Sequence, residues 1–381
     1  MLDDMLVMHD GPRRVVIAPD KFKGSLTAPE VAAALATGIA RMIPEAEIRQ
    51  VPVADGGDGT VETFLSAGWE GVPAQALGAT GATIDTVYAV RGETAVIELA
   101  AVVGLAKLPV EQLDPLGAST FGLGMVIRHA LDRGARELVL GLGGSASTDG
   151  GAGMLRALGV RLLDAEGAEL PNGGAALAQV VQVDASGLHP RLAEASVTLA
   201  SDVDNPLLGP NGATAVYAPQ KGANPSECAI LESALANWAR LLGPDFALEP
   251  GAGAAGGTGF GAMALLRAQV RSGIEVVLEL IDFEALLDGA DLVITGEGSL
   301  DAQSLHGKAP IGVCAVARKT GTPVIAVAGQ SVLSAHQIKA AGFADCYSLA
   351  DLEPDVTRSI AHAAPLLARV GERIAAGNLR K

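Results

Sequence analysis

Val15-Val16-Ile17-Ala18-Pro19-Asp20-Lys21-Phe22-Lys23-Gly24-Ser25 is an apolar run of buried-strand type that ends in a loop carrying one carboxylate and two lysines. Thr27 and Glu30 follow with capping-box spacing, and Pro29 sits in the first turn between them. Val31, Leu35, Ile39 and Met42 then recur at helical intervals. The same order of strand, charged loop and helix comes again at once. Ile48 to Val53 is a second strand, Asp55-Gly56-Gly57-Asp58-Gly59-Thr60 is its loop, and a short helix runs to Leu65. The style returns from Ala290. Leu292-Val293-Ile294-Thr295 is a strand with a Gly/Asp loop after it, and Val324–Val327 and Asp345–Leu349 are further strands with helical segments between and after them. Strands alternating with helices in this way predict an α/β fold with a parallel, doubly wound sheet. Ligands of such sheets bind beyond the strands' carboxyl ends, where the charged loops after Ala18, Val53 and Thr295 fall.

Between these two blocks the pattern changes. Val72–Leu77, Ile84–Val90 and Thr94–Leu99 are closely spaced strands without helices between them, which reads as a meander in a different sheet. A helix around Gly122–Leu131 leads to the strand Leu138–Leu140, and Val197–Ala200 and Ala213–Tyr217 are further strand candidates. Glu227–Leu242 and Gly261–Arg267 read as helices, as does the segment with Ile274, Val277, Leu278 and Ile281 at i, i+3, i+4, i+7. The expected organisation is therefore two domains. One is discontinuous, 15–69 with 286–381, and the other is an inserted α/β domain, 70–285. Residues 1–14 read as a flexible extension with no signal-peptide character.

Gly141 to Gly153, GLGGSASTDGGAG, lies between a strand and a helix start in the inserted domain. Glycines let a backbone approach an anion closely, and N–H groups at a helix start attract negative charge. Ser145, Ser147 and Thr148 add hydroxyls. Asp149 adds a carboxylate, either for a metal ion or for capping the next helix. Ser201-Asp202-Val203-Asp204-Asn205-Pro206 follows another strand with two carboxylates, and Pro219-Gln220-Lys221-Gly222 adds a lysine. Each loop alone is ordinary turn chemistry. Together, lysines and Gly-rich loops for polyphosphate, with carboxylates for Mg²⁺ and a hydroxyl, are the parts that phosphoryl transfer requires. No GxxxxGK[ST] P-loop and no protein-kinase motif set occurs.

The 381 residues carry a formal net charge of −16, which argues against nucleic acid and anionic membranes as partners. No apolar run of about 20 residues exists to span a bilayer. Cys228, Cys314 and Cys346 are far apart and odd in number, so the expectation is free thiols in a reducing cytoplasm. Trp69 and Trp238 read as packing residues, His306 as a loop residue, and Arg373 with Arg380-Lys381 as a solvated helix end.

In these stretches the chain resembles the type 1 glycerate kinases. The resemblance rests on Ala18–Ser25, Val53–Thr60, Gly143-Gly144-Ser145-Ala146, Asp149–Gly153, Ser201-Asp202-Val203 with Asn205-Pro206, Pro219–Ala223, and Thr295-Gly296-Glu297-Gly298 with Asp301, Gln303, Gly307 and Lys308. They stand in family order. The resemblance implies phosphorylation of D-glycerate by ATP, 2-phosphoglycerate being the usual bacterial product, on a flavodoxin-like domain with an inserted restriction-enzyme-like domain. Asp58 stands where the family usually has Glu, Thr148 where Asn is common, and Ser299 where Arg is frequent, which moves weight onto Lys308.

On this reading Lys21, Lys23 and Lys308 meet the anionic groups. Gly143, Gly144, Ser145 and Ser147 with Gly57, Gly59, Thr60 and Lys221 hold the nucleotide, and Asp55, Asp202, Glu297 and Asp301 are the candidates for Mg²⁺. One carboxylate must stay available to accept the glycerate proton; Asp202 is the choice, with Asp55 and Asp301 close behind. Small-molecule partners are expected, and a homodimer is left open. Gly56–Thr60 is also similar to a loop of NAD and lipid kinases, and the Gly/Ser loop to the galactokinase type, but neither family accounts for the other loops. A non-catalytic acidic ligand-binding module would not need carboxylates facing lysines.

Overall fold

A computed structural model describes residues 12–302 and 304–379. Most of the N-terminal extension, Gln303 and the last two residues therefore lie outside the described residues. The chain divides into two units, one made of residues 12–53 and 278–379 and the other of residues 54–277. Both divisions fall earlier in the chain than the boundaries at 69 and 285 expected from the sequence.

The first unit is built on a five-stranded, wholly parallel sheet. Its spatial order is Glu47–Gln50, Arg14–Pro19, Leu292–Leu300, Val324–Ser331, Asp345–Ser348. Numbered along the chain this is 2-1-3-4-5, the flavodoxin-like order, whose switch point lies between the first and third strands. Arg14 belongs to its strand rather than to an extension, and its N–H donates to Asp291 Oδ2 at 2.8 Å. Helix Ala28–Met42 starts as its sequence indicates: Thr27 is the N-cap, and Thr27 and Glu30 complete a reciprocal capping box. The helix turns Val31, Leu35 and Ile39 onto Val15, Ile17 and Ile294 of the sheet and against Leu367 and Ile374 of helix Ala363–Ile374.

One loop expected here is strand. Leu292–Leu300 runs five residues past Thr295, with Glu297 opposite Ala328 and Ser299 opposite Gln330. Its neighbour Val324–Ser331 pairs with it as far as Leu300, so the ladder continues past Gly296 and Gly298, which sequence reading takes as loop punctuation.

The second unit holds a mixed six-stranded sheet in the order Gln269–Arg271, Ser196–Ala200, Glu137–Gly141, Thr94–Glu98, Thr83–Arg91, Glu70–Leu77. The first four run parallel and the last two complete the antiparallel meander. Its core gathers Ile97, Leu99, Leu123, Ile127, Leu140, Leu199, Trp238 and Phe260. Ala213–Tyr217, expected as a strand, is a short helix; a five-residue apolar run does not distinguish the two.

Residues 54–60 and helix Thr60–Ser66 belong to this unit because they lie on its sheet. Gly143 N–H donates to Gly56 O at 3.3 Å, and Val61 N–H donates to Glu98 Oε2 at 3.0 Å. Both tryptophans pack as expected. Trp69 stacks edge-on with Phe64 at 4.8 Å, and Trp238 is fully buried with Nε1 donating to Gly150 O at 3.0 Å.

Candidate active site

In the second unit, three loops leave the carboxyl ends of adjacent parallel strands, and a fourth is laid across them. Glu137–Gly141 leads into Leu142–Gly153, Ser196–Ala200 into Ser201–Pro206, and Gln269–Arg271 into helix Gly273–Leu280. The loop Asp55–Thr60 crosses so closely that a Cβ on Gly143 would stand 2.5 Å from the Gly57 Cα. Asp55, Gly57, Gly59, Thr60, Gly143, Gly144, Ser145, Ser147 and Asp202 therefore share one end of one sheet. The loop is shaped locally as well. Asp55 Oδ1 accepts the Gly57 N–H at 3.2 Å, and the Thr60 hydroxyl donates to Gly57 O at 2.6 Å.

Asp202 faces the start of helix Gly273–Leu280, where its Oδ1 accepts the Gly273 N–H at 3.0 Å. Part of the residue reaches solvent, but protein displaces much of the water around the carboxyl. That desolvation pushes its pKa up to about 6 against the opposing bonds from Ser272 and Gly273, and the like charges of Asp55 and Glu275 add to the rise. Asp55 and Asp202 thus form an acidic pair within one unit. Two carboxylates suit a Mg²⁺ ion, which takes one or two from protein and fills its remaining positions with water and phosphate. No group of three His, Cys, Asp or Glu side chains that could hold a metal exists among the described residues.

The Gly/Ser loop is tied to the segment 103–105 and reaches solvent at Gly143 and Gly144, while Ser145 to Gly153 is buried. Leu105 N–H donates to Gly144 O at 2.8 Å and Ala146 N–H to Val103 O at 2.9 Å. The N–H groups of Gly144, Ser145, Ser147 and Thr148 donate to no protein oxygen among the described residues, and the hydroxyls of Ser147 and Thr148 are buried without a protein partner. Ser147 and Thr148 are packed over by Gly256 and Gly174, so the donors that an anion can approach are those at the exposed Gly144 and the adjoining Ser145, a Gly/Ser turn of the kind that binds anions.

Asp149 plays the capping role. It is fully buried and accepts the N–H groups of Thr120 at 2.7 Å, Gly151 at 3.2 Å and Gly153 at 3.2 Å, with the hydroxyls of Ser119 and Thr120. With its oxygens engaged in this way it is not placed to take a metal ion.

Lys221 is 2% exposed, and its Nζ donates to the Ser145 hydroxyl at 2.8 Å and to the Ser147 carbonyl. Burial lowers its pKa to about 7, and Asp149 works in the opposite direction. It is buried against the loop, with these bonds going to loop oxygens.

The remaining candidates belong to the first unit, around its switch point. Asp20 follows the strand Arg14–Pro19; its N–H donates to Gly296 O at 2.8 Å and its carboxylate lies 3.9 Å from Lys21 Nζ. Lys23 is exposed one turn further on. Lys308 stands at the N-cap of helix Ala309–Lys319 with its Nζ 3.6 Å from Glu297 Oε2. Asp301 Oδ1 accepts the Ser304 N–H at 3.1 Å, and the Ser304 hydroxyl accepts the Asp301 N–H at 3.1 Å, a turn of Asx type.

Sequence reading passed over one segment. Gly251–Gly261 carries six glycines, and its residues Ala255, Gly256 and Gly257 all adopt left-handed backbone inside helix Ala254–Leu266. This turn packs on the loop: Gly150 N–H donates to Gly256 O at 3.0 Å, and a Cβ on Gly256 would stand 2.1 Å from Ser147 O. The density of glycine was a visible signal, but the segment carries no charged residue to point to chemistry.

Residues 15–378 match the model of the glycerate kinase family. A Bacillus subtilis protein named glycerate kinase is 43% identical over 95% of this chain and 97% of its own length. The glycerate 2-kinase of Escherichia coli is 44% identical over 83% of this chain and 85% of its own. A crystal structure of a candidate glycerate kinase 2 from Salmonella typhimurium LT2 superposes with a TM-score of 0.81 at 40% identity, covering 96% of this chain and 98% of that one. With its parallel switch-point sheet, its mixed second sheet and its ordered loops, the chain belongs to the glycerate kinase family.

Proposed function

We propose that the protein transfers the terminal phosphoryl group of ATP to a hydroxyl of D-glycerate, giving 2-phosphoglycerate and ADP. Family membership supports the reaction, and the name of the Escherichia coli relative favours the 2-position. The observation that carries the site assignment is that the N–H groups of Gly144 and Ser145, at the solvent-reaching turn of the loop and beside Asp55–Thr60, donate to no protein oxygen among the described residues. In this reading the turn at Gly143 to Ser145, with the adjoining loop of Gly57, Gly59 and Thr60 and with Ser147 behind it, cradles nucleotide phosphate through those backbone N–H groups. Such donors stay fixed while charge moves on the phosphoryl oxygens, so they need no reorganisation during transfer.

Asp202 orients the glycerate hydroxyl and accepts its proton as the oxygen attacks phosphorus, the role an aspartate has in protein kinases. Asp55 is the first candidate to hold Mg²⁺, with Asp202 beside it and Glu297 and Asp301 as further candidates; the ion when bound neutralises phosphate charge. Lys21, Lys23 and Lys308 are the cations proposed for the glycerate carboxylate and the phosphates. Cytoplasmic residence is part of this reading, supported by the free cysteines and the proposed metabolic substrates; no helix among the described residues is long and apolar enough to cross a membrane.

The test is ADP release by purified protein supplied with ATP and MgCl₂, with and without D-glycerate. Glycerate-dependent release is expected, and ³¹P NMR of the product should show phosphate on the 2-oxygen. Turnover of another hydroxy acid or sugar with none of glycerate overturns the substrate, and a 3-phosphate overturns the regiochemistry.

A further inference from the structure

Lys221 is the one lysine of the second unit's loops that the structure buries against the Gly/Ser segment. Its Nζ makes bonds at both ends of Ser145-Ala146-Ser147, to the hydroxyl of the first and the carbonyl of the last. Both of these acceptors lie in the buried part of the loop, directly after the exposed Gly144, whose N–H has no protein acceptor among the described residues. Lys221 itself is held by helix Pro219–Lys221, whose closing Gly222 is in the left-handed region at φ +98°. Its amine is buried and its bonds to Ser145 and Ser147 go to loop oxygens. The charged group that acts on it is Asp149, four residues beyond Ser145 and itself locked by Ser119, Thr120, Gly151 and Gly153.

We propose that Lys221 is a positioning residue for nucleotide binding: it does not touch phosphate but ties the Ser145 hydroxyl to the Ser147 carbonyl, which fixes the turn at Gly144 and Ser145 so that its N–H groups meet an anion. This rests on the reading that the loop holds nucleotide phosphate. It differs from direct phosphate binding by a lysine, because the amine is 2% exposed and its bonds go to loop oxygens. Loss of the amine releases Ser145 and Ser147, which loosens the Gly144–Ser145 turn and weakens the phosphate site while leaving the groups that hold glycerate in place.

The experiment compares wild type with Lys221→Met and Ser145→Ala in the full chain, after circular dichroism has established folding. Hydrogen exchange of the segment 143–148 is measured with and without Mg-ATP, and KM is measured separately for ATP and for D-glycerate. Wild type should show slowed exchange in 143–148 on adding nucleotide; absence of that slowing overturns the phosphate-loop reading itself. Given that slowing, Lys221→Met should lose most of it and raise KM for ATP by about tenfold or more, with KM for glycerate within about twofold, as fits a loss of hydrogen-bond organisation worth on the order of 1–2 kcal/mol. Ser145→Ala, which keeps the lysine buried and removes one of its two acceptors, should raise KM for ATP by a smaller factor. Unchanged KM for ATP in Ser145→Ala together with wild-type exchange protection in a folded Lys221→Met protein overturns the positioning role. If Lys221→Met does not fold, the Ser145→Ala result decides alone: an unchanged KM for ATP overturns the proposal, and a selective rise supports it.

Discussion

Asp149→Asn separates a structural from a chemical role for the most buried carboxylate of the Gly/Ser loop. In the native chain Oδ2 takes the N–H groups of Thr120 and Gly153, and Oδ1 takes that of Gly151. An Asn side chain is similar in size but replaces one oxygen by an –NH₂. Placed at the Oδ2 position, the new donors would face two backbone N–H groups. Placed at Oδ1, the less damaging choice, they would face the Gly151 N–H, leaving it unsatisfied in a site of 0% exposure. Losing a hydrogen bond to a charged acceptor is worth ~1.5–3 kcal/mol, and an orphaned buried donor adds ~1–3 kcal/mol, so a loss of about 3–5 kcal/mol is expected. For a domain of this size each kcal/mol moves the melting midpoint by about 2–4 °C, which predicts a fall on the order of 10 °C in the transition of the second unit. Thermal unfolding followed by circular dichroism reads this directly. A midpoint within about 2 °C of wild type, coupled with lost turnover, would refute the capping role and return Asp149 to the chemistry.

Asp202→Asn should keep the wild-type fold, since Asn can still accept the Gly273 N–H, and lower kcat by ~10²–10⁴ as expected for loss of a general base. A folded variant with near wild-type kcat removes Asp202 from the mechanism and promotes Asp55 or Asp301. Gly256→Ala should destabilise by about 2 kcal/mol or more, because its φ of +66° disfavours a side chain and its Cβ would lie 2.1 Å from Ser147 O; urea unfolding with an unchanged midpoint contradicts the packing described. The last expectation concerns pH. The folded pKa of Lys221 is lowered to about 7 from an unfolded value of 10.5, so the unfolded state binds the extra proton between those limits. Stability must therefore rise with pH across that window and be flat below it with respect to this group. Wild type should gain on the order of 2–4 kcal/mol relative to Lys221→Met between pH 7 and pH 10, and a constant difference would show that Lys221 titrates normally.

What the sequence made legible was whatever is specified within a few residues. The Thr27–Glu30 capping box, the apolar strand Arg14–Pro19 and the meander Glu70–Glu98 all depend on local pattern, and all are found. What escaped depends on a distant partner. Glu297 looked like a loop residue because glycines flank it, yet the neighbouring strand Val324–Ser331 carries the ladder through them. Lys221 reads as a nucleotide-binding residue from type and spacing, which say nothing about burial; its 2% exposure and its contacts with Ser145 and Ser147 depend on distant partners.

The glycines make the same point more sharply. Read locally, a glycine signals a turn, and Gly143–Ser147 reads as a loop that binds phosphate through its backbone. In the structure Gly143 is required by Gly57, some eighty residues away, and the backbone at Ser147 requires Gly256, more than a hundred residues on. Each Gly-rich segment lacks side chains where another must approach, so the loop is assembled from backbone supplied by distant parts of the chain. A glycine-rich stretch without charge, such as Gly251–Gly261, is then as much a part of the loop's support as the stretches that carry lysine and aspartate. It packs on Ser147 and bonds Gly150, while Lys221 bonds Ser145 and Ser147.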